Sequence, residues 1–579
     1  MARPLRTVLV AAAVAVALYV GWSRVDRAGS PAGAGAADSR PSRGGQLVAS
    51  LRTEPPTYNR YSPAGAVAAT EIVSLLTQAK LVRVNRATDE LEPWLASEWT
   101  AAADGRAYTL RLREGVVFSD GQPFSSADVL FSLRAAYDPV VNSPLRAALL
   151  VRGRPLEVSA PDSHVVVVSF PEPFAPGLRL LDHLPILPRH RLGGALEAGT
   201  FNNQWLPSGA LSDLAGLGPF VLVEHAAGQR LVFDRNPHYF RRDARGLQLP
   251  YLDRLIVALA PDQSTETLRL EAGEVDLLAN GEIRPQDYAA LKARAAEGSI
   301  ALLDVGIGLD PDFLSFNLRS ARQADPRAAW LLRKEFRQAI ACGVDRDAIV
   351  NTVYLGAAVP LHGPISPGNR TWFSEAAPKH PYDPGRARQL LTGLGLTDRD
   401  GDGMLEDARG IPARFSIVTQ AGHIRERVAA VIQEQVRQHG IGVDIAALDP
   451  GGIFQRWSAG DYDAIYFGLQ ASSTDPAMNP ELWLSSGAFH FWNPRQSTPA
   501  TDWEARVDAL MAEQATARDL AARQRAFAEV QRILGEELPS IYFVAPRVTI
   551  ATSRRVANPI TAAQVPQLLW SADTLAVRR

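Results

Sequence analysis

A strand–helix–strand unit near residue 430 constrains the fold of this chain more than any other feature of its sequence. Residues 415–418 alternate as a strand does, and apolar residues recur at spacings of three and four between Ile424 and Val436. Gly440 follows, where a helix end favours a left-handed residue, and apolar residues alternate again over 441–445. A helix that joins two strands in this way implies parallel pairing with a right-handed crossover, and therefore an α/β fold.

The alternation of strand and helix recurs along the chain. A second strand–helix–strand unit is predicted over 255–278, and a helical stretch over 326–342. Asp345 is a candidate N-cap, and Asp383 followed by Pro384 predicts the start of another helix. Because the chain has 579 residues, it is too long for one ordinary domain, and two or three lobes are expected.

Charge, cysteine content and missing motifs exclude several classes of protein. Sixty Lys and Arg against 62 Asp and Glu give a net charge of −2, so no strong field draws the chain to nucleic acid. The single cysteine, Cys342, excludes an intrachain disulfide and a cysteine-rich metal site. Phosphate-binding, dinucleotide-binding, serine-hydrolase and zinc-protease motifs are absent. A binding protein is therefore favoured over an enzyme, with a hydrolase that uses Asp461, Asp463 and Glu481 as the alternative.

The N-terminus predicts export. Arg3 and Arg6 precede an uncharged apolar run over residues 8–22, the pattern of an export signal. Either this segment is a signal peptide cleaved near the small residues 34–36, or it is an uncleaved membrane anchor with a Gly/Ala/Pro tether up to residue 43. In both cases residues 1–43 precede the folded protein, which is expected in the periplasm or another extracytoplasmic space.

A series of motifs extends over nearly all of the chain beyond residue 43. The most specific is the stretch Tyr108–Val129, and others lie at 54–59, 92–99, 218–220, 235–237, 250–253, 273–276, 316–319, 345–350, 382–384 and 460–464. In their order and spacing they resemble the large solute-binding proteins of bacterial ABC importers, solute-binding protein family 5, which includes dipeptide- and oligopeptide-binding proteins.

The resemblance implies a two-lobed periplasmic-binding-protein fold of the large peptide-binder type, with an extra subdomain in lobe I and a two-strand hinge. It places lobe I at 44–308 with an inserted subdomain at about 89–210, lobe II at 309–540, a C-terminal return to lobe I at 541–579, and crossings near 309–316 and 538–544.

The implied function is capture of a peptide or peptide-like solute in the cleft between the lobes and its delivery to an ABC permease in the cytoplasmic membrane. The protein is expected to be a monomer that makes and breaks no bond. Two alternatives remain open: a non-peptide solute such as an oligosaccharide on the same scaffold, and a receptor-like protein that binds without transport.

Candidate ligand contacts follow from the resemblance. In peptide binders of the family, an Asp in the loop after the 460–464 motif pairs with the amino terminus of the ligand, and alignment up to the Asp475–Pro476 pair places Ser472 there. A hydroxyl cannot neutralise a buried ammonium, which disfavours a free peptide amino terminus. A small shift of the alignment would give the role to Asp475, which also fits a structural turn. The full set of predicted contacts is Tyr58, Asn59, Gln470, Ser472, Ser473, Phe491 and Trp492.

One segment resembles a calcium-binding loop. Asp398, Asp400 and Asp402 stand at positions 1, 3 and 5 of such a loop, and Gly403 stands at position 6. Position 12, which should carry a bidentate Glu, is Arg409. The segment therefore predicts either a structural calcium site or an Asp/Gly-rich hairpin turn before the strand at 415. No other cofactor is expected.

Overall fold

The computed structural model describes residues 41–469, 471 and 473–578. The predicted export segment up to residue 40, Gln470 and Ser472 therefore lie outside the described residues. The strands of the described chain form sheets of eight, five and four strands and three two-stranded sheets. Helices pack against the larger sheets, as the predicted α/β class requires.

The eight-stranded sheet is mixed. Across the sheet its strands are Phe220–Ala226, Arg230–Arg235, Arg254–Leu259, Gln46–Leu51, Leu277–Glu282, Val544–Ser553 and Ile300–Ile307, with Ala358–Pro360 paired to Val544–Ser553 off this path. The first strand, Gln46–Leu51, lies between the two strands of the predicted 255–278 unit and runs parallel to both. The two strands of that unit are thus parallel, but they are not neighbours.

The five-stranded sheet contains the unit that the sequence predicts most clearly. Its strands, in order, are Gly442–Leu448, Arg414–Gln420, Ala464–Phe467, Phe313–Phe316 and Ser540–Tyr542. The strands on either side of the helix Ile424–Arg437 are adjacent and parallel, which confirms the prediction. Gly440 has a left-handed φ of 76°.

The remaining strands form smaller sheets. The four-stranded sheet has the order Ala96–Ala101, Ala107–Leu112, Val165–Ser169 and Glu157–Asp162, and the two-stranded sheets pair Val82–Val84 with Leu91–Pro93, Leu150–Val151 with Arg154–Pro155, and Val556–Ala557 with Ala576–Val577.

The helices lie between and around these sheets. The α-helices are Ala68–Thr77, Ser126–Tyr137, Leu145–Ala148, Arg189–Glu197, Gln263–Glu271, Tyr288–Ala296, Ala328–Leu331, Lys334–Gly343, Arg346–Thr352, Pro384–Gly393, Ile424–Arg437, Pro450–Ala459, Pro480–Trp483, Asp502–Thr516 and Leu520–Glu537. Short 3-10 helices span Pro63–Gly65, Gly177–His183, Phe201–Asn203, Leu211–Asp213, Pro285–Asp287, Ser320–Ala324, Pro476–Met478 and Leu569–Thr574. None of the helices in the described chain combines the length and the apolar character that crossing a membrane requires.

Side-chain caps fix the starts of several helices. Asp345 accepts hydrogen bonds from the backbone N–H groups of Asp347 and Ala348, and Asp383 accepts one from Arg386, as their positions predict. The predicted helical stretch 326–342 is divided into Ala328–Leu331 and Lys334–Gly343.

The chain passes between the two large sheets through two short connections and through the longer segments on either side of Ala358–Pro360. It leaves the eight-stranded sheet after Ile307 and enters the five-stranded sheet at Phe313, and it returns between Tyr542 and Val544. Each sheet has its own hydrophobic core, with Leu47 and Phe233 in one and Phe336 and Phe415 in the other. Two cores joined by two short connections are the two-lobed architecture implied by the sequence.

Candidate ligand-binding site

A cavity lies beside the first crossing between the sheets. It encloses about 930 Å³, part of it open to solvent. We call it the aromatic cavity because six of its lining residues are aromatic: Phe313, Trp483, Phe489, Phe491, Trp492 and Tyr542. Its other lining residues are Leu309, Asp310, Pro311, Pro364, Ile365, Asn369, Leu469, Ala471, Ser473, Thr474, Pro476, Asn479, Leu482, Leu534, Ser540 and Gln564.

The aromatic wall is held in place by ring contacts and one hydrogen bond. The ring of Phe313 meets those of Phe491 and Tyr542 at centroid distances of 5.1 and 5.9 Å. The indole N–H of Trp492 donates to the Glu504 carboxylate at 3.1 Å. These contacts join the rings into one apolar surface of the cavity.

Two polar groups among the lining residues, the Asp310 carboxylate and the Trp483 indole N–H, have few hydrogen-bond partners. The Asp310 carboxylate accepts a hydrogen bond from the backbone N–H of Ala471 at 3.0 Å. Burial raises the pKa of Asp310 to about 6, against the opposing effect of that hydrogen bond. The indole nitrogen of Trp483 is buried and has no hydrogen-bond partner among the described residues. The Asp310 carboxylate, which lines the cavity with one hydrogen bond from the described chain, is therefore available to a solute.

A second cavity adjoins the first and is strongly polar. It encloses about 1290 Å³, part of it open to solvent. We call it the charged cavity; its charged and titratable lining residues are Arg60, Glu71, Lys80, Arg86, Asp89, Arg179, Asp182 and His183. The other lining residues are Ala68, Ile72, Ser74, Leu75, Val84, Leu145, Pro185, Asn280, Ala471, Ser473, Thr474, Gln564, Val565 and Pro566.

The charges of this cavity do not balance. Lys80 pairs with Asp182 at 3.3 Å and Arg179 pairs with Asp89. Arg60 and Arg86 share the single carboxylate of Glu71, at 3.9 and 3.8 Å. Burial lowers the pKa of His183, so this imidazole is neutral near pH 7. One positive charge therefore remains in excess, which favours an anionic group of a ligand.

The loop after the strand Ala464–Phe467 separates the two cavities and contacts both lobes. Ala471, Ser473 and Thr474 line both cavities. The Thr474 hydroxyl donates to Asp89 at 2.6 Å and accepts from Arg179 at 3.2 Å. A solute in either cavity would touch this loop, so the loop is the centre of the candidate site.

Asp475 stabilises the loop through contacts within the protein. It is buried and forms an ion pair with Arg523, whose Nη2 lies 2.7 and 2.8 Å from the two carboxylate oxygens. It also accepts from the Gln514 amide at 3.2 Å and caps the 3-10 helix Pro476–Met478. Since these groups occupy its oxygens, a shifted alignment that makes Asp475 the amine-binding residue is wrong.

The predicted contacts are divided between the cavity and the core. Ser473, Phe491 and Trp492 line the aromatic cavity, whereas Gln470 and Ser472 lie outside the described residues. Tyr58 and Asn59 line neither cavity.

Tyr58 and Asn59 are instead buried inside lobe I. The Tyr58 hydroxyl lies 2.6 Å from Nδ1 of His225, and the Asn59 amide donates to the Phe201 carbonyl at 3.0 Å. The expectation that they contact the solute is therefore corrected: their polar atoms are used to fix the opening loop.

Sequence reasoning missed Asp310 and Trp483, although an acid beside an expected crossing was a usable signal for Asp310.

The carboxylates considered for hydrolysis do not converge. Asp463 is buried, pairs with Arg327 at 2.8 Å and accepts from the Ser416 backbone at 2.9 Å. Glu481 lines a different cavity, between residues 147–180 and 477–515, and Asp461 lines none of those described above. This arrangement does not support the hydrolase alternative.

The calcium-like segment forms an exposed turn. Carboxylate oxygens of Asp398, Asp400, Asp402 and Glu406 lie within 4.8 Å of one another. Asp398 accepts from the backbone N–H groups of Gly401 and Gly403 at 2.7 and 3.1 Å. The turn is thus confirmed, and calcium binding stays a prediction.

Comparison with known proteins finds similarity to bacterial solute-binding proteins. The family model "Bacterial extracellular solute-binding proteins, family 5 Middle" matches residues 90–491. A probable ABC transporter-binding protein of Deinococcus radiodurans is 25% identical over 523 residues, covering 87% of each chain.

Two solved structures show the same fold. The oligopeptide-binding protein AppA of Bacillus subtilis, in complex with a nonapeptide, is similar with a TM-score of 0.70 at 22% identity, covering 93% of this chain and 100% of AppA. The periplasmic binding protein MelB of Agrobacterium fabrum, in complex with stachyose, gives 0.71 at 21% identity, covering 93% of this chain and 85% of MelB. The match of the family model over most of the described residues leads to one conclusion: the chain belongs to the bacterial extracellular solute-binding proteins of family 5.

Proposed function

We propose that this protein captures a peptide or peptide-like solute between its two lobes and delivers it to an ABC permease. The observation that carries the proposal is the pair of adjoining cavities beside the lobe crossings, which share one loop. An apolar, aromatic cavity next to one with excess positive charge suits a solute with apolar side chains and a carboxylate, as a peptide has.

The proposed mechanism is a shift of population. Two short connections allow the lobes to open and close, and a solute that touches both lobes favours the closed form. A difference of about 5.5 kcal/mol in binding free energy between the two forms carries the equilibrium from mostly open to mostly closed. The permease would recognise the closed form, and the protein itself would catalyse no reaction.

A neutral oligosaccharide is the second candidate solute. Ser472 stands where the resemblance implies a carboxylate in peptide binders, and MelB of the same fold was solved with stachyose. Against a neutral sugar, the adjoining charged cavity carries an excess positive charge that such a solute cannot pair.

The test is affinity selection from two mixtures, followed by mass spectrometry. One mixture contains di- to pentapeptides, and the other contains tri- and tetrasaccharides. We expect peptides to be retained at one per protein and recovered intact. Retention of saccharides alone would reverse the order of the two candidates, and hydrolysed products would contradict a purely binding role.

The site of action is proposed as extracytoplasmic. Sequencing the N-terminus of the protein purified from its native membrane and soluble fractions tests this proposal. A start near residue 37 in the soluble fraction supports a cleaved signal peptide, and an intact N-terminus in the membrane fraction supports an anchor. Recovery of the intact chain from the cytoplasm would contradict export.

A further inference from the structure

We propose that the Asp310 carboxylate binds an ammonium group of the solute, in the place of the carboxylate that Ser472 does not provide. This inference rests on the proposed function, since it names the residue that recognises one group of the solute in the same cavity. It also reverses the sequence-based argument against a ligand with a free amine.

Asp310 is the one charged residue among the described residues that line the aromatic cavity. Within the described chain its carboxylate accepts one hydrogen bond, from the Ala471 N–H at 3.0 Å. Its neighbour Asp312, by contrast, is paired with Arg425 at 2.8 Å. A partly buried carboxylate that faces a cavity without a cationic partner is costly unless a ligand supplies the cation.

The titration of Asp310 agrees with this position. Burial is the main cause that raises its pKa to about 6; the Ala471 N–H opposes this rise, and the negative charge of Asp312 adds to it. No Lys, Arg or His stands among the described residues of the aromatic cavity to lower it. The group is ionised near pH 7, but the ionised form lacks a counter-ion that an ammonium would provide.

The surroundings suit an ammonium attached to an apolar body. Phe313, Phe491 and Trp492 present rings to the same cavity, and ring faces attract cations. The Ala471 N–H that holds Asp310 belongs to the residue before Ser472. Asp310 therefore reaches, from the crossing segment, the same part of the loop that the alignment assigns to amine recognition.

The charged cavity supports a dipolar ligand. Its excess positive charge, at Arg60 and Arg86 around Glu71, lies beyond the shared loop from Asp310. An ammonium at Asp310 and a carboxylate toward these guanidinium groups would give a zwitterionic solute complementary charges at both ends. The inference thus selects a peptide with a free amino terminus.

The test compares matched probes on the full-length protein and the D310N variant. Tripeptide mixtures are offered with a free amino terminus and in N-acetylated form, and the retained members are measured by calorimetry. We expect the wild type to prefer the free-amine form. Asp310→Asn should weaken binding of free-amine peptides about 10- to 100-fold and leave acetylated peptides unchanged, because the amide keeps the acceptor for Ala471 but loses the charge.

Two further variants control the result. Asp304→Asn removes an exposed carboxylate on the strand Ile300–Ile307, outside both cavities, and should change neither affinity. Adding Ser472→Asp to Asp310→Asn should restore most of the preference for free amines. Circular dichroism confirms that each variant is folded.

The outcomes separate the two proposals. If the wild type binds free-amine peptides and the D310N variant keeps the same preference, the role of Asp310 is overturned and the peptide-binding function stands. If the wild type retains saccharides and no peptide, both proposals fall.

Discussion

Asp310 links the chemistry of a single side chain to the pH at which the protein works. Its pKa is raised to about 6 by burial, whereas an ordinary Asp titrates near 3.8. The ionised form is needed to bind an ammonium, so binding should weaken as the pH falls through 6. Between pH 7.5 and 5, affinity for a free-amine peptide should fall about tenfold, as measured by calorimetry.

The raised pKa of Asp310 also means that its ionised form lowers the stability of the folded protein. Because the folded state disfavours the ionised carboxylate, Asp310 costs stability above pH 6, and the cost disappears as both states become protonated below the ordinary pKa. Asp310→Asn should therefore raise the thermal midpoint at pH 7.5 and have little effect at pH 4. A lower midpoint at pH 7.5 would contradict an uncompensated charge.

Asp475 shows how a buried ion pair behaves when one partner is lost. Side-chain exposures are 5% for Asp475 and 8% for Arg523, so the pair is shielded from water. Asp475→Ala should lower the free energy of unfolding by about 3–5 kcal/mol, because an unpaired guanidinium stays buried. Urea unfolding measures this loss.

A surface pair provides the contrast. Arg437 and Glu434 are exposed and lie 2.8 Å apart on one helix. Glu434→Ala should leave the free energy of unfolding almost unchanged, because water screens such pairs. Equal losses at the two sites would show that Asp475 is not anchoring the loop.

At the scale of the element, the turn after the helix Ile424–Arg437 depends on a glycine. Gly440 has a φ of 76°, and a Cβ there would lie 2.6 Å from Cγ of Leu405. Gly440→Ala should therefore destabilise the protein by more than the roughly 1 kcal/mol that left-handed backbone alone costs a non-glycine residue. Thermal unfolding measures the change.

Gly410 is the matched control for Gly440. Its φ is 77°, and a Cβ there meets nothing within 4 Å. Gly410→Ala should therefore show the backbone cost of about 1 kcal/mol without the steric one. If both variants lose the same stability, contact with Leu405 does not matter for this strand–helix–strand unit.

At the scale of the whole molecule, one threonine connects the lobes. Thr474, on the loop after a strand of the five-stranded sheet, donates to Asp89 at 2.6 Å, while Asn369 donates to the Thr474 carbonyl at 2.9 Å. Thr474→Val keeps the shape and removes the hydroxyl. We expect a larger radius of gyration in X-ray scattering and solute affinity about fivefold weaker, because the closed form loses one hydrogen bond.

Thr352→Val is the control for this effect. In the wild type the Thr352 hydroxyl donates to the Ala348 carbonyl within one helix, away from the loop. It should leave both the radius and the affinity unchanged. An unchanged radius in the T474V variant would mean that the contact with Asp89 does not hold the lobes together.

The sequence by itself determined features that depend on near neighbours in the chain. The periodicity of 415–445 predicted a parallel unit, and Asp345 and Asp383 predicted helix starts, because strand alternation and N-caps are satisfied within a few residues. The motif series also indicated the family.

Only the tertiary structure decided which residues surround the solute cavity. It inserted Gln46–Leu51 between the strands of the 255–278 unit, buried Asn59 against Phe201, and brought Asp310 to Ala471. Each of these contacts joins residues more than a hundred positions apart, so no local pattern encodes it. A side chain acquires its role as core, cap or ligand contact from the groups that folding places around it.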